Sequence, residues 1–252
     1  MKPRERAGVI HLALSAAVAV AVFVPIYFVW YPGVLFGAAG GLRLFLLIAG
    51  INVAIGPLIT FLIFVPGKRG LVFDLWVIAI LQIGALGYGV WVLFDSRPAY
   101  IVFVKDRFEL VRANQIPDEL LAEARGGIYA HSPLAGPRLV AARWPIDREE
   151  STRLMLASIA GIDIQFFPRH YVAYAADRAV ALAKSQPLAQ LRRLNPRRAA
   201  EIDRLLERLQ RREDEVRFLP MRAGKAVDLT VLLDARNGDV LRIAQLRPWT
   251  YD

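Results

Sequence analysis

The chain has 252 residues, of which 56% are hydrophobic, and it carries a formal net charge of +9 with no cysteine. Without cysteine it has no disulfide framework, thiolate metal site or cysteine nucleophile. The basic residues of the second part of the chain are mixed with acidic ones, which is typical of a solvated surface, so we predict no nucleic-acid partner.

Three segments near the amino terminus are long and apolar enough to cross a lipid bilayer. A spanning helix needs about 20 apolar residues, because a rise of about 1.5 Å per residue must cover a hydrocarbon core of about 30 Å. The predicted spans are residues 8–30, 44–65 and 73–94. We therefore expect an α-helical membrane region of three transmembrane helices over residues 1–95, with the lipid bilayer as its first partner.

Basic residues beside these segments predict their orientation, because short loops that carry Lys and Arg remain in the cytoplasm. Lys2 and Arg4 precede the first span, and Lys68 and Arg69 lie between the second and third. The amino terminus and the second loop are therefore expected to be cytoplasmic. Since three spans bring the chain to the opposite side, residues 96–252 are expected to form a periplasmic domain of a bacterial inner-membrane protein.

Polar and helix-breaking residues inside the spans are candidate contact residues, since lipid offers no hydrogen-bond partner. Pro57 has no N–H to donate to the carbonyl of Val53, so a kink is expected at Gly56-Pro57. Gln82 lies at nearly the depth of that free carbonyl and can reach towards it. Asn52 and Gln82 either join the second and third helices or contact a partner's helix, and the sequence leaves both alternatives open.

Small residues four positions apart offer faces on which helices approach one another closely. Such faces are formed by Ala13, Ala17 and Ala21, by Gly50 and Ala54, and by Ala85 and Gly89. Three helices do not need every such face for their own packing, which favours a partner within the membrane. The candidate intramembrane packing or partner-contact residues are Asn52, Gly56, Pro57, Gln82, Ala85 and Gly89.

The second part of the chain alternates strand-like and helical patterns, which predicts a mixed α/β domain. Strands are expected at 100–104 and 108–113, paired as a hairpin, and at 139–144, 216–220, 227–234 and 240–246, with a turn at Asn237-Gly238. Helices are expected from Pro117 to Gly126, at 147–160, at 171–184 and from Pro196 onward, the last capped by Asn195.

Residues with catalytic chemistry are few in this domain. It contains two histidines, His131 and His170, and no metal-ligand spacing, phosphate-binding loop or nucleophile motif. His131 lies in a loop rich in Pro and Gly, where an ordinary loop role is expected. We predict no catalytic, cofactor-binding or metal site. The alternative is a membrane-tethered periplasmic enzyme of unknown reaction, which requires His131, His170 and an acid to converge in a pocket.

Several stretches together resemble the TfpX/TfpZ family of type IV pilin accessory proteins. They include Gly56-Pro57-Leu58-Ile59-Thr60, Pro66-Gly67-Lys68-Arg69-Gly70-Leu71, Leu81-Gln82, Asp106-Arg107-Phe108-Glu109, Asp228-Leu229-Thr230-Val231-Leu232-Leu233-Asp234 and Arg247-Pro248-Trp249. The resemblance implies an inner-membrane, chaperone-like protein that stabilises a type IV major pilin or promotes its assembly into pili. It brings no catalytic residues to carry over to this chain, and we predict no cofactor. A pilin in the membrane has an apolar helix and a globular head, and a three-helix region joined to a periplasmic domain offers a surface to each.

Overall fold

The computed structural model describes residues 2–224 and 227–249, and the chain divides into two compact units, Met1–Arg97 and Pro98–Asp252. The first unit contains three helices long and apolar enough to cross a membrane, here called the first, second and third apolar helices: Pro3–Trp30, Gly41–Ile63 and Leu71–Asp95. The second unit is a mixed α/β fold. The predicted class, three apolar helices followed by a mixed α/β domain, is confirmed at this level.

The loop between the first two apolar helices is anchored to the third. It contains a short helix, Leu35–Ala38, and the ring of Tyr31 is fully buried beside it. The Tyr31 hydroxyl donates to the backbone carbonyl of Leu93 over 2.8 Å. Phe36 packs edge-on against Phe23 of the first helix, with ring centroids 5.7 Å apart. This end of the three-helix unit is therefore closed by aromatic packing and a buried hydrogen bond.

The second apolar helix changes its hydrogen-bond pattern in the middle. Residues Gly41–Gly50 and Gly56–Ile63 are α-helical, and Ile51–Ile55 between them form a π-helical turn. In a π-helix each N–H bonds to the carbonyl five residues earlier, whereas in an α-helix it bonds four residues earlier. The missing N–H of Pro57 therefore leaves the Asn52 carbonyl without a backbone donor in the π pattern.

The second unit is built on one eight-stranded sheet. Its strands are β1 Pro98–Val104, β2 Arg107–Arg112, β3 Arg138–Ala142, β4 Tyr171–Ala173, β5 Gln186–Pro187, β6 Val216–Arg222, β7 Asp228–Asp234 and β8 Val240–Ala244. The order is β4-β3-β1-β2-β6-β7-β8, with β5 paired to β6. The helices are Asp118–Glu123, Arg148–Ile159, Arg178–Lys184, Leu188–Leu194 and Ala199–Leu209. The hairpin predicted at 100–104 and 108–113 is confirmed by the antiparallel pairing of β1 and β2.

The central strands are buried more deeply than a simple alternation predicts. Leu229, Val231 and Leu233 of β7 are fully buried, as the shared face of that strand indicates. However, Leu232 on the opposite face is also buried, where it packs in a cluster with the helices Leu188–Leu194 and Ala199–Leu209. Both faces of β7 are therefore covered, and the alternation of Leu229, Val231 and Leu233 predicts only one of them.

The helix predicted at 171–184 is wrong in its first half. Tyr171–Ala173 forms β4, which pairs with β3, and only Arg178–Lys184 is α-helical. Two tyrosines explain the difference. The Tyr171 ring packs edge-on against Tyr100 at 5.0 Å, and the Tyr174 hydroxyl donates to the Gly238 carbonyl over 2.7 Å. These long-range contacts outweigh the local helical preference.

Asn195 is not the predicted helix cap. A short 3₁₀ turn, Pro196–Arg198, comes before the helix Ala199–Leu209, and Asn195 makes no side-chain hydrogen bond to either. Its amide instead donates to the carbonyls of Leu191 and Arg247, at 2.9 and 2.8 Å, and accepts from the Arg247 N–H at 2.9 Å. Asn195 therefore ties the segment after β8 to the helical layer.

Glu109 gives the second unit a predictable dependence on pH. It lies on β2 next to Arg222 of β6. Burial raises the pKa of Glu109 from 4.5 to about 7, although Arg222 and Arg107 act to lower it. Between pH 4.5 and about 7, Glu109 holds its proton in the folded chain and loses it in the unfolded chain. The free energy of unfolding should therefore fall as the pH rises through this range. As Glu109 ionises, the free energy of unfolding should fall by about 1–2 kcal/mol, and we expect Glu109→Gln to remove this fall. The measurement is the melting temperature of the full-length protein at a series of pH values from 4.5 to 8.

The control for this prediction is Glu119→Gln, which changes an exposed carboxyl in the same unit. It should retain the pH dependence of the unchanged protein. If the melting temperatures of the unchanged protein and Glu109→Gln changed equally with pH between 4.5 and 8, the prediction would be contradicted.

Candidate functional site in the apolar helices

A groove, here called the interhelical groove, runs between the three apolar helices. Its cavity has a volume of about 210 Å³. The first and third helices form its walls, and the second, which packs on both, forms its floor. The lining residues are His11, Leu14, Ser15, Val18, Ala19 and Val22 from the first helix, Phe45, Ile48, Ala49 and Asn52 from the second, and Ala79, Gln82, Ile83 and Leu86 from the third. Within each helix they are spaced three and four apart, so each helix presents one continuous face.

Small side chains make room in the groove. Each helix contributes an alanine to the lining, namely Ala19, Ala49 and Ala79. Along the first helix the lining extends from His11 to Val22, a length of about 17 Å at 1.5 Å per residue. An apolar trough of this length, walled by helices and widened by small residues, has the form that helices use to pack against a further helix in a membrane.

Asn52 and Gln82 meet where the floor of the groove joins the wall formed by the third helix. Gln82 Nε2 donates to the backbone carbonyl of Asn52 over 3.1 Å, and Asn52 Nδ2 donates to the carbonyl of Ile48 over 2.9 Å. The prediction that Gln82 reaches the carbonyl of Val53 is therefore wrong. The π-helical turn explains the change, because in that pattern Pro57 frees the carbonyl of Asn52 instead.

Gly56 makes room for the Gln82 amide. A Cβ atom at Gly56 would lie 1.8 Å from Gln82 Nε2 and 2.5 Å from its Cδ, so a side chain there would displace the amide from the Asn52 carbonyl. Gly56 and Pro57 are both buried within the unit. Gly56 and Pro57 therefore have a structural role: they allow the hydrogen bond from Gln82 to the Asn52 carbonyl that joins the third helix to the second.

Ala85 and Gly89 do not share one environment. Gly89 is buried, and a Cβ there would lie 2.5 Å from Cγ1 of Ile48, so Gly89 serves the packing of the third helix on the second. Ala85 is exposed. The faces formed by Ala13, Ala17 and Ala21 and by Gly50 and Ala54 are also exposed. None of these exposed residues is among those that line the interhelical groove.

Sequence reasoning missed two polar residues of the groove, His11 and Ser15. His11 Nδ1 and Thr60 Oγ1 share a hydrogen bond of 2.6 Å between the first and second helices. A histidine inside an apolar segment was an available signal, because such residues are costly in lipid. The face on which His11 or Ser15 lies depends on how the helices pack, which their local sequence does not reveal.

The two histidines of the second unit occupy different environments. His170 Nε2 lies 3.1 Å from Glu150 Oε1, and Arg169 binds the other oxygen of the same carboxylate at 3.2 Å. His131 is exposed, and its backbone carbonyl accepts a hydrogen bond from the Tyr100 hydroxyl over 3.0 Å. Among residues 2–224 and 227–249, no group of three or more His, Cys, Asp or Glu side chains is placed to hold a metal ion.

Three apolar helices and a mixed α/β unit define the chain as a membrane-associated protein. It is 31% identical over 228 residues to the fimbrial assembly protein of serogroup E1 of Dichelobacter nodosus, covering 89% of this chain and 88% of the relative. The serogroup I protein matches at the same identity and coverage. The protein of serogroups C1 and C2 is 36% identical over 117 residues, or 46% of this chain and 89% of that relative. The chain therefore belongs to the family of fimbrial assembly proteins.

No family model matches the chain, and no solved structure matches it. The predicted family is thus confirmed at the coarser level of fimbrial assembly proteins, and the TfpX/TfpZ assignment stays a prediction.

Proposed function

We propose that this chain is an inner-membrane accessory protein that binds a type IV major pilin, stabilises it and promotes its assembly into pili. The interhelical groove is the observation that carries the proposal. In a member of the fimbrial assembly family, an apolar trough formed by three helices fits the apolar helix of a pilus subunit in the membrane. The function requires no reaction, cofactor or metal.

The proposal gives a role to both units. The groove receives the helix of the pilin, and the unit Pro98–Asp252 contacts its globular head. This division requires the amino terminus to be cytoplasmic and the second unit to be periplasmic, as the basic residues beside the apolar helices favour. The finer assignment, to the TfpX/TfpZ accessory proteins, rests on the quoted stretches of sequence.

Deletion of the gene tests the function in the cell. We expect pilin abundance and surface piliation to fall together and to recover when the full-length chain is restored, because an unprotected pilin is exposed to degradation. Pilin would be measured by immunoblotting of whole cells and piliation by electron microscopy. Normal pilin abundance and normal piliation in the deletion strain would contradict the proposal.

Photocrosslinking tests the groove directly. The photoreactive residue p-benzoylphenylalanine would be placed at Val18, which lines the groove, or at Val20, which lies on another face of the same helix and is 63% exposed. We expect a crosslink to the major pilin of the same strain from position 18 and little or none from position 20. Equal crosslinking from both positions, or from neither, would argue against the groove as the pilin site.

A further inference from the structure

Three polar residues of the groove lie at the middle of their helices. Ser15, Asn52 and Gln82 are each within two residues of the centre of Pro3–Trp30, Gly41–Ile63 and Leu71–Asp95, respectively. All three line the same cavity. If the helices span a bilayer, these groups meet near its midplane, where water is absent and polar side chains are costly.

Each of these residues retains hydrogen-bonding capacity that the chain does not use. Asn52 is only 7% exposed, and among the residues that the structure describes its Oδ1 accepts no hydrogen bond. Gln82 uses its Nε2, but its Oε1 accepts none within the same described ranges. The Ser15 hydroxyl likewise has no partner in residues 2–224 and 227–249. At this depth Ser15, Asn52 and Gln82 therefore present two open carbonyl acceptors and one open hydroxyl.

A lipid chain in the groove would leave these three groups without partners, because hydrocarbon neither donates nor accepts hydrogen bonds. A purely apolar helix would do the same. A helix with one polar side chain at this depth satisfies them, provided that the side chain both donates and accepts. An ionised carboxylate would face two carbonyl oxygens, so an amide, a hydroxyl or a protonated carboxyl fits the site better.

We infer that the groove recognises its partner helix through one neutral polar side chain at mid-membrane, which hydrogen-bonds with Ser15, Asn52 and Gln82. This inference rests on the proposed function. The apolar walls supply packing, and the polar group fixes the depth and rotation of the partner helix. A helix without such a group leaves the two amide oxygens and the Ser15 hydroxyl unpaired and is discriminated against.

The test measures how much of the major pilin of the same strain is captured with the tagged full-length chain from detergent-solubilised membranes. The variant is Ser15→Ala. The Ser15 hydroxyl makes no hydrogen bond within the described residues, so its removal should leave the fold intact. We expect capture to fall about three- to tenfold. The matched control is Ser96→Ala, which removes a hydroxyl that lies outside the groove and is bonded to the Val92 carbonyl and the Tyr31 hydroxyl, and it should capture pilin normally.

The partner's side chain is then located by replacing each polar residue of the pilin's apolar helix with leucine. One such replacement should lower capture by the full-length chain and have little further effect when combined with Ser15→Ala, because both changes remove the same interaction. If no pilin replacement and no Ser15 variant changes capture while the crosslink from position 18 persists, this inference is overturned and the proposed function stands. If that crosslink is also absent, the proposed function fails as well.

Discussion

Replacing Gly89 with leucine is expected to destabilise the three-helix unit by about 2–3 kcal/mol. Gly89 lies where the third apolar helix crosses the second, and a Cβ atom there would come within 2.5 Å of Cγ1 of Ile48. Helices in a membrane gain stability mainly from close packing, because lipid chains are as apolar as the side chains they would replace. Separating the helices at this point therefore removes contacts that nothing else restores.

Gly87→Leu is the matched control, since the same change two residues away has no neighbouring atom within 4 Å of the new Cβ. It should leave the unit as stable as before. Thermal unfolding of both variants in the same detergent, followed by circular dichroism, gives the comparison. Equal melting temperatures for the two variants would show that Gly89 does not set the distance between these helices.

Filling the groove should abolish pilin binding while the chain remains folded. The double variant Ala19→Leu, Ala49→Leu places two larger side chains in the cavity of about 210 Å³. Because a further helix needs close approach to pack there, we expect pilin capture to fall at least about tenfold and pilin abundance to fall with it. Capture by the full-length tagged chain and immunoblotting of pilin in cells measure the two effects.

The matched control carries leucine at Ala17 and Ala54, which are exposed on other faces of the same two helices. It should capture pilin normally. The opposite outcome, loss of capture in the control and normal capture in the groove variant, would place the pilin on the exposed small-residue faces. Similar amounts of each variant in the membrane are required for the comparison.

The positions of the apolar helices follow from local sequence. Their length and hydropathy mark residues 8–30, 44–65 and 73–94, and the structure has helices at Pro3–Trp30, Gly41–Ile63 and Leu71–Asp95. The β1–β2 hairpin is equally local, as is the turn at Asn237-Gly238, where Gly238 adopts a positive φ of 75°. In each case the determining residues are neighbours in the chain.

Segments whose structure depends on distant partners were not predicted correctly. Residues 171–184 have a helical composition, yet Tyr171 and Tyr174 are held by Tyr100 and by the carbonyl of Gly238. Asn195 next to Pro196 has the form of a helix cap, yet it bonds to the backbone of Arg247. A hydrogen bond to a residue more than 50 positions away leaves no trace in the local pattern.

The sequence by itself determined that Asn52, Gly56, Pro57 and Gln82 lie within apolar helices, because the apolar residues on both sides of them set the limits of those helices. It did not determine which way any of them faces. The π-helical turn selected the Asn52 carbonyl as the partner of Gln82, and packing turned Gly89 inward while Ala85 stayed exposed. The interhelical groove arises only when three helix faces meet, since rotation about a helix axis is set by tertiary contacts rather than by composition.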